Sequence, residues 1–105
     1  MTGQDLRQLL LNKWGHSYDI QIRRTQGKIF VQVMWKYQEQ VSFPLSEVEY
    51  LDRLNTVATY LNAWGGTSQV RDYIQQTRER PRLGKAVSIP IELGERASEW
   101  LLEDF

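Results

Sequence analysis

Four cations, Arg78, Arg80, Arg82 and Lys85, fall within the first eight residues of RERPRLGKAVSIPI (78–91), around Pro81 and Gly84. Guanidinium forks at that density, set among backbone amides that a loop leaves unpaired, suit phosphate or carboxylate recognition. A second group, Arg23, Arg24 and Lys28, surrounds Thr25-Gln26-Gly27. If the two groups met in space, seven cations would converge with Glu79 as the one acid among them. The whole chain is balanced, with 13 basic and 13 acidic side chains, whereas an obligate nucleic-acid binder usually carries a basic excess. Base stacking also wants aromatic rings among the cations. Neither segment contains one, and the nearest in sequence are Phe30 and Tyr73. Both segments therefore have a plain account as solvated connectors, and two functional ones: an acidic protein surface, or RNA or DNA.

Catalytic chemistry finds little to work with. There is one histidine, His16, no cysteine, and no GxSxG, P-loop, GxGxxG or EF-hand spacing. His16 directly follows Gly15 at a helix end, where an imidazole can bond the last free carbonyls. A metal site would have to be built from carboxylates alone. Glu95, Glu99 and Glu103 recur at i, i+4 and i+8, and Glu92 and Asp104 join them against Arg96 alone. Such a run reads as a solvated helix face or as a partner surface. A small carboxylate enzyme would need an apolar pocket that raises one of these groups. The reading is a non-enzyme with no cofactor and no metal.

The elements that position these residues follow from periodicity. Thr2 with Asp5 makes a capping box, Leu6, Leu9, Leu10 and Trp14 recur at helical spacing, and Gly15 closes the helix. Tyr18, Ile20 and Ile22 alternate with polar residues, the chain reverses at Thr25-Gln26-Gly27, and Ile29, Val31, Val33, Trp35 and Tyr37 resume the alternation: a β-hairpin. The pattern runs on through Val41 and Phe43, as a bent continuation or a short third strand. Ser46 and Glu49 make a second capping box ahead of a wide apolar stripe from Tyr50 to Trp64, which Gly65-Gly66 stops. Thr67 or Ser68 is placed to cap a third helix carrying Val70 and Ile74, which frays before Pro81. Val87, Ile89 and Ile91 form a strand, and Pro90 assigns it to a sheet edge. Ala97, Trp100, Leu101 and Phe105 suggest a closing helix. The order is αββααβα: a small antiparallel or mixed sheet covered by amphipathic helices, an α+β domain.

At 105 residues the chain suits one domain, with 41% hydrophobic and 25% charged residues, enough for a modest core. No run approaches the roughly 18 apolar residues of a membrane span, and the N-terminus lacks the features of a signal or transit peptide. The reading is a soluble monomer, and the absence of cysteine suits a reducing compartment. LNKWG (11–15) and LNAWG (61–65) echo each other, but one precedes a strand and the other a helix, so both read as independent helix ends. The four tryptophans (14, 35, 64 and 100) fall in phase with apolar stripes and read as core. Phe30 and Met34 fall on the opposite face of their strand, where they would anchor a partner if exposed or form a second core layer if covered.

Three segments, MWKYQEQVSFPLSEVEYLDRL (34–54), the Trp64-Gly65 helix end and PRLGKAVSIPI (81–91), resemble a small domain-of-unknown-function family of cyanobacteria and plant chloroplasts. The resemblance implies a compact α+β domain of unusual topology and no catalytic motif. It also implies a task in oxygenic phototrophs, in the cyanobacterial cytosol or plastid stroma or peripheral to thylakoids: helping to assemble a photosynthetic complex, with a thylakoid subunit as partner. Partner binding is assigned to Arg78, Arg80, Arg82 and Lys85, with Arg23, Arg24, Lys28, Phe30 and Met34 beside them. RNA binding through the same cations is the alternative.

Overall fold

The computed structural model describes residues 1–93. The expected closing helix and its acidic face lie outside them. Six elements follow in the order α1 (Gly3–Trp14), β1 (Tyr18–Thr25), β2 (Lys28–Tyr37), α2 (Glu47–Trp64), α3 (Thr67–Gln76) and β3 (Val87–Ile91). The strands form one antiparallel sheet in the order β1-β2-β3, with β1 and β3 at its edges.

Both capping boxes form, Thr2 with Asp5 and Ser46 with Glu49, each side chain satisfying an amide of the other residue. Gly15 and Gly65 close their helices in the left-handed conformation, so the two similar pentapeptides are two helix ends solved alike. α3 departs from expectation: its N-cap is Gly66, and Thr67 is already helical. The chain passes from α2 to α3 with no residue to spare, since the Gly66 amide still serves Leu61 of α2 (2.9 Å).

Alternation sorts the sheet into two faces. Ile20, Val31, Val33, Val87 and Ile89 turn inward and are buried with Leu6 and Leu10 of α1, Tyr50, Leu54, Val57, Leu61 and Trp64 of α2, and Val70 and Ile74 of α3. This is one core between a sheet and a helical layer. At roughly 2 kcal/mol for each fully buried aliphatic side chain, it dominates the stability of a domain this small. Tyr50 ties the layers polar-to-polar as well: its hydroxyl donates to the Tyr18 carbonyl at 2.8 Å inside the core.

The end of β2 differs from simple alternation. Tyr18 pairs with Tyr37 but Ile20 with Val33, so β2 carries extra residues in a bulge around 34–36. Trp35, in phase with the core by sequence, is only half-buried there. No strand follows: Gln40 bonds back to Tyr37 and Phe43 to Gln40 in successive turns, which leave Val41 fully exposed. Phe43 and Leu45 return to the core.

Candidate partner-binding site

The basic loop is built from three directions. α3 ends at Gln76, and the Thr77 hydroxyl accepts from the Glu79 amide (3.1 Å), turning the chain away from the helix axis. Pro81 is buried, which pins the middle of the loop. Arg82 and Lys85 then exchange both backbone hydrogen bonds (3.0 and 2.7 Å) and close a two-residue turn on Leu83-Gly84. Gly84 has φ +79° while Leu83 stays at negative φ, which is the type II geometry. A glycine is needed there, because a Cβ disfavours that φ. From the other side α1 holds the loop: Trp14 Nε1 donates to the Glu79 carbonyl (3.2 Å) and Lys13 Nζ to the Gln75 carbonyl (3.2 Å).

The loop cations share one surface. A cleft of about 490 Å³ is lined by Lys13, Trp14, Thr77, Arg78, Glu79 and Arg80. A second, of about 240 Å³, is lined by Arg78, Glu79, Arg80, Arg82, Lys85 and Ala86, so the two adjoin along 78–80. Leu83 stands 90% exposed on the closed turn between Arg82 and Lys85, two of the residues that line the second cleft. The C-terminal ends of α1 and α3 both face this region and bring partial negative charge with them. Lys13 is already spent on a carbonyl of the α3 end. The arginines and Lys85 are exposed and form the outward-facing rim.

The second basic group lies elsewhere. β1 and β2 meet at Gln26-Gly27, with φ +50° and +75°, a type I′ turn. Ile29 pairs with Ile91 and Val33 with Val87, so the hairpin tip lies beside the end of β3 and the loop beside its start. Lys28 and Val33 alone are about 17 Å apart along β2, at ~3.4 Å per residue. The register therefore does not bring Arg23, Arg24 and Lys28 into the loop surface. Phe30 sits with the tip, opposite Arg23 on one side and Pro90 on the other, while Met34 belongs to the loop end. Both are half-buried. Between them Gln21, Gln32 and Ser88 hydrogen-bond in a row across all three strands (2.9 and 3.1 Å).

Titratable chemistry is sparse among the described residues. Asp19 is raised above the usual carboxylate value by burial, against the opposing pull of Arg53. Its two oxygens are both engaged, one by Arg53 at 2.6 Å and the other by the Ile20 amide at 3.0 Å. A carboxyl held that way ties β1 to α2. His16 stacks on Tyr37 (4.1 Å between ring centroids) and meets Tyr18 edge-on, so its ring packs in an aromatic cluster. No described group of three His, Asp or Glu residues is placed to hold a metal ion.

Residues 4–101 match the sequence model of a family described as a domain of unknown function, DUF3067. The chain belongs to this family. A DUF3067 match over nearly the whole length agrees with a solved relative, the Alr2454 protein of Nostoc sp. strain PCC 7120, known from a solution NMR structure. The two are 69% identical, the alignment covers 99% of this chain and 100% of that one, and the TM-score is 0.88. The compact α+β fold is thus shared with a cyanobacterial protein. No curated protein matches the chain. Neither the DUF3067 description nor the relative's indicates an enzymatic family.

Sequence reasoning missed three residues of this DUF3067 surface. Leu83 was hidden between cations, although Gly84 in RLGK marks a turn that would carry it. Lys13 and Trp14 lie more than sixty residues upstream of the loop, and only the packing of α1 against α3 reveals them.

Proposed function

We propose that this DUF3067 domain is a non-enzymatic protein-interaction module. Its contact surface is the loop at 77–86: Leu83 inserts as the apolar anchor, and Arg78, Arg80, Arg82 and Lys85 form a rim that reads carboxylates. The observation carrying this reading is Leu83 itself. A large aliphatic side chain standing 90% exposed rides on a backbone that two hydrogen bonds already order, and it gains only against an apolar pocket. Phosphate backbone offers no such pocket. Met34, at the same end of the sheet, extends the surface. The client is a subunit of a photosynthetic complex, and the module aids its assembly from the cytosolic or stromal side of the thylakoid; the occurrence of a 69% identical protein in Nostoc supports an oxygenic phototroph as the setting.

Capture with the tagged protein from a phototroph, its membranes gently solubilised, tests this with and without nuclease. Thylakoid subunits retained after nuclease, and lost with the Arg80→Glu/Arg82→Glu double variant, are the expected result. Unchanged capture by that variant sinks the site. One observation favours a second reading, RNA binding: the half-buried Trp14 ring lines the cleft beside Lys13, Arg78 and Arg80. That reading requires prey that disappears with nuclease and an affinity that falls steeply with salt.

A further inference from the structure

Arg82 and Lys85 face each other as a like-charged pair. They exchange both backbone hydrogen bonds across the Leu83-Gly84 turn (3.0 and 2.7 Å), the pattern of residues directly opposite on antiparallel chains. The side chains of such a pair project to one face, with Cβ atoms about 5 Å apart. Like charges placed there repel, and the turn itself needs neither of them: its geometry asks only for Gly84 at positive φ. The ion pairs among the described residues join Arg7 to Glu47 and Arg53 to Asp19. Within the described residues no ion pair neutralises Arg82 or Lys85, nor Arg78 or Arg80.

These four side chains line one cleft of about 240 Å³, which Glu79 and Ala86 complete. Glu79 is its one acid and pairs with none of them. The adjoining cleft brings in Lys13, whose ammonium is already on the Gln75 carbonyl, so it adds no free cation. Charge is therefore concentrated in the smaller space, where it matches a compact group with two negative charges. A carboxylate brings one charge, and so does each phosphodiester of RNA or of a phosphatidylglycerol surface. A phosphomonoester brings close to two, with three acceptor oxygens that can meet a guanidinium fork and an ammonium together.

We infer that this cleft binds a phosphomonoester carried on a serine or threonine side chain of the client. The inference rests on the loop being a protein contact surface, and it makes that contact conditional on phosphorylation. Arg82 and Lys85 take the phosphoryl oxygens from the two sides of the turn. Arg78 and Arg80 add charge, and Glu79 opposes it.

The test is titration of the ¹⁵N-labelled full chain with acetyl-AEVSVEA-amide phosphorylated on its serine, beside the same peptide with glutamate in place of that serine. Amide shifts at residues 78–86 and an affinity at least tenfold above that of the glutamate peptide are expected. Arg82→Gln and Lys85→Gln each weaken phosphopeptide binding about tenfold and leave Tm equal or higher, because each removes the like-charge repulsion. Glu79→Gln tightens binding severalfold, and Arg23→Gln leaves it unchanged. Equal binding of the two peptides, equal losses from Arg23→Gln and Arg82→Gln, or no shifts overturns the proposal. So does displacement of the phosphopeptide by phosphatidylglycerol vesicles or single-stranded RNA at equal phosphate concentration, which assigns the cleft to a phosphodiester surface. Client capture that needs Arg80 and Arg82 yet survives phosphatase treatment of the extract overturns the phosphoryl assignment alone, and the protein-contact reading stands. Capture indifferent to Arg80→Glu/Arg82→Glu overturns both.

Discussion

The loop at 77–86 and the hairpin tip at 23–28 carry the same kind of charge on the same kind of scaffold, a two-residue turn with a glycine at positive φ. They differ in what holds them and in where the charges go. The hairpin is held by its own two strands, and strand alternation sends Arg23 to the outer face and Arg24 to the face that carries Ile20 and Ile22. The loop is held by Trp14 and Lys13 of α1, by the end of α3 and by buried Pro81; its cations line two adjoining clefts, and its turn carries an exposed leucine. Charge density alone does not distinguish the two. Convergence does, and so does an apolar residue presented on a doubly hydrogen-bonded turn.

The largest effect expected is on capture. Arg80→Glu/Arg82→Glu reverses two rim charges and lowers client capture by about a hundredfold or more, while Arg23→Glu/Arg24→Glu leaves that capture within about twofold. Both pairs are exposed, so each variant keeps its stability within roughly 1 kcal/mol, a shift of a few degrees in Tm for a domain of this size. Equal losses from the two double variants would erase the distinction between the regions. Next in size is Leu83→Asp, which removes the anchor and puts a carboxylate among carboxylates. A hot-spot residue contributes about 2 kcal/mol or more, so capture falls about thirtyfold or more, measured by titration calorimetry once the client is known. Retained affinity would reassign recognition to the charges alone.

How much of this was legible in the sequence varies with the range of the interaction. The αββααβ order of the described residues, both capping boxes, the hairpin turn and the edge position of Pro90 could be read because each depends on neighbours a few residues away. The bulge at 34–36 could not, because register is a property of two strands, and it put Trp35 out of phase with its own sequence pattern. The loop was noticed for its arginines, but its shape depends on bonds from Trp14 and Lys13 that no local pattern encodes. The separation of the two basic groups followed from the β2–β3 pairing alone. His16 went the same way: its helix-end position suggested a carbonyl partner, and the return of β2 supplied the Tyr37 ring.

The two turn glycines sharpen the comparison at smaller magnitude. Gly27→Ala and Gly84→Ala each place a Cβ at a φ near +75 to +79°, at a cost of about 1 kcal/mol. In the hairpin the strain falls on a turn that joins two strands of the core sheet, so Gly27→Ala lowers the global unfolding free energy by about that amount in urea denaturation and leaves capture unchanged. In the loop the chain relieves strain by opening the Arg82–Lys85 turn. Gly84→Ala therefore lowers global stability by less, raises hydrogen exchange at the Arg82 and Lys85 amides, and weakens capture about fivefold. The opposite partition, with Gly84→Ala costing mainly global stability, would show that the loop belongs to the cooperative core.

Trp14→Phe has the smallest expected effect and separates the two readings of the basic surface. The substitution keeps an aromatic face toward the cleft and toward Tyr18, where the rings now meet edge-on at 6.0 Å, but it deletes the N–H that holds Glu79. A single such bond contributes about 1 kcal/mol net. If the loop works by presenting Leu83 and its rim in a fixed geometry, the variant loosens residues 78–82 and client affinity falls about fivefold, with little change in salt dependence. If the surface works by stacking a base on this ring, phenylalanine serves nearly as well and Trp14→Ala is the damaging change. The order of Trp14→Phe and Trp14→Ala in one binding assay thus tells whether the indole acts through its edge, as a strut for a protein-binding turn, or through its face, as a platform for RNA.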